Sequence, residues 1–245
     1  MKSTLRQFIL LMTLTLLYVS IGQTADLKNI LDSVKKAASG DSSITNDEMI
    51  QGLKEALKVG TQNAVATVSK VDGYYKNSDI KIPLPEEIES AGKYLRLAGY
   101  GSKVDEFEQS MNRAAEQAAP EAKQIFWEAV KEMKIKDAQK LLDGPDNAAT
   151  SYFKDKTYDR LHKIFKPIVK ETMGQVGVTH QFQDINNKLS SIPLADKASV
   201  DLDQYVTDKS LDGLFFMLAE EEKKIRQDPA ARVTDILKKV FGSSV

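Results

Sequence analysis

"SKVDEFEQSMNRAAEQAAPEAKQIFWEAV", residues 102–130, reads as two helices with almost nothing between them. Val104, Phe107, Met111, Ala114 and Ala118 recur at alternating three- and four-residue steps. That spacing makes a narrow apolar seam along one side of a helix. Ser102 stands where a capping side chain belongs. Pro120 has no N–H and a preset φ, so it suits the first turn of a second helix. There Ala122, Ile125, Phe126, Ala129, Val130 and Met133 share one wide apolar face.

The same signals extend outward in both directions. Upstream, Ile44-Thr45-Asn46-Asp47-Glu48-Met49 combines Thr45 as a cap, Glu48 as its capping-box partner and a staple between Ile44 and Met49. Ile50, Leu53, Leu57, Ala64 and Val68 then follow at helical spacing, so the helix is expected to end near Val71. "DIKIPLP", residues 79–85, alternates like a strand, but Pro83 and Pro85 cannot donate to a central ladder. It reads as an extended linker into a helix starting near Pro85.

Downstream, Ile135–Leu142 reads as a short helix with Asp137 at its cap and Ala138, Leu141 and Leu142 facing inward. "DGPDNAATSYF", residues 143–153, reads as a joint. Gly144 is expected in the left-handed region, and Pro145 cannot continue a helix. Asp146 or Asn147 is expected to cap the next helix, with Tyr152 and Phe153 as its first large core contacts. Pro167 falls inside the helical run Tyr158–Met173, where it removes one backbone hydrogen bond and is expected to produce a kink. Asp228-Pro229 opens a last helix carrying Val233, Ile236, Leu237 and Val240.

The expected fold class is all-α: a compact multi-helix domain with short joints and little or no strand. Residues 26–78 form an N-terminal helical arm continuous with a helical domain over 79–245, and a subdivision is expected near 190–198. Residues 1–25 read as a signal peptide, with Lys2 and Arg6, an uncharged apolar run from Phe8 to Ile21, and small residues at Ser20, Gly22 and Ala25. The run is too short for a spanning helix, which needs about 20 residues. The expected destination is therefore periplasmic, exported and soluble after cleavage, with a mature chain starting at Gln23 or Asp26.

Cleavage removes two cations and no acid, taking the formal net charge from −1 to −3. Interspersed charges of this balance offer no footprint for nucleic acid. There is no Cys, so neither a disulfide nor a lipidated N-terminal Cys is available.

Few residues suited to chemistry are present. The two histidines, His162 and His180, have no partner at metal-ligand spacing and are expected on the solvated surface. No metal or cofactor is expected, and no catalytic residue is assigned. Asp41–Asp47 lacks the Gly and Glu of a calcium loop. Gly99-Tyr100-Gly101 reads as a helix stop rather than a phosphate loop. The acidic run Glu220-Glu221-Glu222 is expected on an exposed face, paired as Glu220–Lys224 and Glu222–Arg226.

"MNRAAEQAAPEAKQIFWEAV" (111–130), "DAQKLLDGPDNAATSYF" (137–153) and "DQYVTDKSLDGLFFMLAEEEKKIRQDPAARVTDILKKVFG" (203–242) are long and specific. With "IKIPLPEEI" (80–88) and "FKPIVKETMGQVGV" (165–178), they make the chain resemble a bacterial exported family catalogued as domain of unknown function 4197, from about Leu53 to Phe241. The resemblance implies an exported, mainly helical protein. It brings no activity and no catalytic residues.

Within the first of these motifs, Asn112, Arg113 and Glu116 lie off the apolar seam. With Met111 at zero, they fall near about 100°, 200° and 140° around the helix. Two readings of them stand: a solvated face with a weak ion pair, or a polar groove enclosed by a close-packed helix, which the small Ala side chains allow. Trp127, the only Trp, also lies off the main face of its helix. Tyr74, Tyr75, Tyr94 and Tyr100 border the joints, where a wet hydroxyl on a partly buried ring is expected.

Two function classes follow. One is a non-catalytic binding or interaction module of the cell envelope, taking an unknown small molecule or an envelope protein, with Asn112, Arg113, Glu116, Asp137 and Asp143 as candidate ligand-binding residues. The other is an enzyme whose acid/base pair is assembled from distant helices, with Glu116, Asp137 and Asp143 as candidates.

Overall fold

In the computed structural model, the structure describes residues 46–175 and 200–227. Among these residues there are seven α-helices and no strand. They are α1 (Asn46–Val68), α2 (Glu86–Leu95), α3 (Gly101–Ala118), α4 (Ala122–Glu132), α5 (Ile135–Leu142), α6 (Ala148–Gln175) and α7 (Leu202–Gln227). The all-α expectation is met. The Thr45 cap, the joint near 190–198, His180 and the helix after Asp228 lie outside the described residues.

One apolar core runs through every helix. α7 packs along both α6 and α1, α3 lies on α6, and α4 bridges α1 and α6. Phe126 of α4 sits at the centre, with its ring edge-on to Phe153 of α6 at 5.2 Å and to Phe215 of α7 at 5.9 Å. These are favoured geometries for aromatic quadrupoles. Both apolar faces read from residues 102–130 are buried, and Ala114, Ala115, Ala118, Ala119 and Ala122 have no exposed surface. The absence of bulky side chains along that run is what lets the helices approach each other closely.

Several local expectations are corrected. α1 stops at Val68 rather than near Val71, and the chain reverses through Asp72, which adopts φ 69°. The N-cap of α3 is Tyr100, so Ser102 lies inside the helix and does not cap it. Gly99, at φ 88°, does break the helical path, in a five-residue wide turn over Arg96–Tyr100. Asp137 does not cap α5. Lys134 occupies that position, and Asp137 falls in the first turn.

Gly144 is not left-handed, since Gly99 is the only described glycine at positive φ. It is needed for space: a Cβ there would stand 2.6 Å from the Ala148 Cβ and 2.9 Å from the Lys140 carbonyl. α6 runs continuously past Pro167.

Candidate functional site

The candidate polar trio lies on α3, against the chain that leads from α1 to α2. Asn112 is fully buried. Its Oδ1 accepts the Ile82 N–H at 2.8 Å, while its Nδ2 donates to the Ile82 carbonyl at 2.8 Å and to the Glu108 carbonyl at 2.8 Å. The amide thus treats the extended linker as a neighbouring strand would, satisfying both backbone groups of a buried residue. Glu116 is buried as well. One of its oxygens accepts the N–H groups of Tyr74 (3.1 Å) and Tyr75 (3.3 Å), and the other accepts Arg113 at 2.6 Å. Arg113 reaches Asp72 with its second nitrogen at 2.5 Å. The solvated-face reading of the trio is therefore overturned. Residues 72–82 cover that face of α3.

The electrostatics follow from this packing. The Asp72 carboxyl is held below its ordinary value by hydrogen bonds from Lys76 and then Arg113. Partial burial acts against the Arg113 charge, but hydrogen bonds to Glu116 and Asp72 keep the guanidinium above its usual range. Burial, with the Glu116 charge added, pushes the Tyr74 hydroxyl far up. That hydroxyl is not wet, as the joint position suggested. It donates to the Ser210 carbonyl at 2.6 Å. Its ring occupies a slot that exists because Gly213 has no side chain: a Cβ there would lie 2.6 Å from Tyr74 Cε1.

A second knot forms at the joint after α5. Glu222 of α7 accepts the Ala149 and Thr150 N–H groups at 2.9 and 2.8 Å and the Thr150 hydroxyl at 2.9 Å. These are the donors expected to reach Asp146 or Asn147. Asp146 instead accepts Gln227 at 2.5 Å. Arg226 binds Glu222 at 2.9 Å and the Leu141 carbonyl at 2.7 Å, joining the end of α5 to the start of α6. The Glu222–Arg226 pair was thus correctly read, but Glu221 and Glu222 are buried rather than exposed. Lys224 pairs with Glu221 at 2.6 Å rather than with Glu220. His162 is half-buried, 2.8 Å from the Gln204 amide and 3.3 Å from Asp208. The sequence reading does not single out Asp72, and it names Tyr74 and Glu222 without their buried roles, although "VDGYY" at 71–75 carries a turn signal that points to the first two.

The other candidates stand apart from the trio. Asp137, half-buried, lines a cleft of about 440 Å³ with Glu132, Lys134, Tyr152, Lys156 and Arg160. Burial, and then the charges of Asp137 and Glu132, raises the Tyr152 hydroxyl. Asp143 is exposed at the C-terminal end of α5. Among the described residues, no hydrogen bond or ion pair joins any two of Glu116, Asp137 and Asp143.

A larger cleft, about 540 Å³, lies between residues 83–96 and α7, with Glu86, Glu87, Glu108, Lys93 and Lys209 on its walls. The Tyr205 hydroxyl in it donates to the Pro83 carbonyl at 3.1 Å and is pushed up to about 12 by burial and by Glu87, Glu86 and Glu108. A third cleft, about 390 Å³, holds Trp127. Arg113 does hold two carboxylates, but it lines none of these three clefts. Among the described residues, no cluster of His, Asp and Glu is placed to hold a metal ion, and no helix is long and apolar enough to cross a membrane.

No curated protein and no solved structure matches the chain. The model of one protein family does match, over residues 43–242, taking in the seven helices, the α3 trio and the Glu222 knot. The chain belongs to that family, described as "Protein of unknown function (DUF4197)".

Proposed function

We propose that the protein is an exported, non-catalytic binding module of the bacterial cell envelope, with a small molecule or an envelope protein as its partner. The observation that carries this reading is the state of the buried carboxylates. Glu116 and Glu222 direct both oxygens at backbone N–H groups, a hydroxyl or a guanidinium of the same chain. An acid/base catalyst must instead reach the proton that it moves. The enzyme reading, built on Glu116, Asp137 and Asp143, finds less support because Glu116 is engaged internally and the other two lie along α5. Periplasmic destination rests on the charged, apolar, small-residue order of residues 1–25.

The test incubates the purified mature chain with a periplasmic small-molecule extract and follows it by NMR. A binder removes at most one equivalent of a component and returns it unchanged on denaturation. Depletion of many equivalents with appearance of a product would overturn the reading. Intact-mass measurement on the native protein checks export, and a mass that still includes residues 1–22 would overturn that part.

A further inference from the structure

Trp127 projects from the side of α4 that faces α1, half-buried and away from the aromatic core. Two ammonium groups sit over its indole: Lys58 of α1 at 5.2 Å from the ring centroid and Lys131 of α4 at 5.0 Å. The indole face attracts each cation, but the two cations repel one another. Lys58 also lines the cleft beside the ring, with Lys123, Thr61, Gln62 and Gln124; Lys131 stands outside it, and no acid is among the lining residues.

The nearby acids offset only part of this charge. Glu55 pairs with Lys58 at 3.8 Å. Glu128 is occupied by Arg160 at 2.5 Å and by Gln124 at 2.7 Å. Among the described residues, neither Lys123 nor Lys131 has an ion-pair partner. The chain carries slightly more acids than bases, so a local cationic excess around its only Trp is not a reflection of composition.

From this we infer that the Trp127 cleft binds an anionic sugar, a saccharide bearing a carboxylate or a phosphate. The anion would sit against Lys58 and Lys123, the two cations that line the cleft. An amide such as Gln62 offers both a donor and an acceptor to ring hydroxyls. Once Lys58 turns from the ring to the anion, the indole offers a flat apolar face on which sugar C–H groups can pack. A cleft of about 390 Å³ is in the size range of small-ligand sites. The assignment rests on the binding-module reading and names its ligand class and seat.

The single Trp makes the protein its own reporter. Emission of the mature chain is titrated with trigalacturonic acid and with glucose 6-phosphate, which separate the carboxylate and phosphate sources. Maltotriose and inorganic phosphate serve as controls. The expected result is a saturable change with at least one acidic sugar and none with maltotriose. Affinity should fall about tenfold in the Lys58→Gln/Lys123→Gln double variant, with a far-UV spectrum like that of wild type. It should fall too as salt rises from about 50 to about 500 mM.

No saturable response to either acidic sugar overturns the assignment. So does equal affinity for maltotriose or inorganic phosphate, or full affinity in the double variant. If the chain ignores both acidic sugars but retains another component of the extract, only this assignment fails. Turnover of many equivalents of any component removes the binding-module reading itself.

Discussion

Glu222 shows what a sequence position conceals. In the string "EEEKK" it resembles its neighbours, and its i,i+4 spacing to Arg226 suggests a surface pair. Its carboxylate in fact caps α6, through N–H groups 72 and 73 residues earlier in the chain. Spacing reveals an intrahelical partner but says nothing about which helix end faces that carboxylate. Glu222→Ala should therefore cost about 3 kcal/mol, since it leaves two buried N–H groups without their acceptor and takes the carboxylate from the half-buried Arg226 guanidinium. Asp146→Ala and Asn147→Ala should each stay within about 0.5 kcal/mol of wild type. Urea melts of the three variants compare them directly, and a reversed order would show that the local cap dominates.

Gly144 was legible as special, but for the wrong reason. Because crowding by Ala148 rather than positive φ requires it, Gly144→Ala should destabilise by ~1–3 kcal/mol, and Ala148→Gly should restore part of the loss. No restoration would point back to backbone strain.

Asp72 adds a pH dependence. Its folded-state value lies below its ordinary 3.8, so its contribution is complete above that value and is lost as pH falls through the lower one. Asp72→Asn should therefore lower the melting temperature at neutral pH and narrow its gap to wild type as pH falls below 3.8. A gap that is constant across that range would exclude the ion pairs as its source.

At the scale of elements, the two helices of residues 102–130 were legible because an apolar seam at 3.6-residue period has one structural reading. The opposite face of α3 was not. A helical wheel gives the direction of Asn112 and Glu116 relative to the seam, but what covers that direction depends on a segment 30 to 42 residues away. The same segment explains why "DIKIPLP" alternates without being a strand. Ile80 and Ile82 enter the core, and the ladder partner that Ile82 lacks is supplied by the Asn112 side chain. Asn112→Ala should cost ~2–3 kcal/mol, the penalty for stranding a buried N–H and a buried carbonyl. Asn112→Asp should be at least as damaging, because a carboxylate cannot donate to the Ile82 carbonyl. Thermal melts at neutral pH decide the point, and a wild-type melt for either variant would mean that water or a backbone shift replaces the bracket.

For the whole molecule, the open question is whether residues before Asp79 form a separable arm. The sequence suggested a joint there, because prolines follow and the polar turn 69–79 interrupts the apolar pattern. Chain continuity alone cannot reveal that α1 lies in the groove between α4 and α7, since the partners of Leu53, Leu57, Val65 and Val68 are distant in sequence. All four side chains are buried in the common core. At roughly 2 kcal/mol each, they contribute about 8 kcal/mol, against a total stability of about 5–15 kcal/mol for an ordinary domain. Removing residues up to 78 also takes away Asp72 and Tyr74, leaving Arg113 and Glu116 with only each other, and it takes Asn63 from Glu221, 3.0 Å away. A chain beginning at Asp79 should therefore fail to melt cooperatively. A chain beginning at Thr45 keeps every contact described here and should melt in one transition. Circular dichroism at 222 nm measures both. A sharp transition in the shorter chain would show that α2 to α7 fold without α1, and that residues 26–78 are an arm after all.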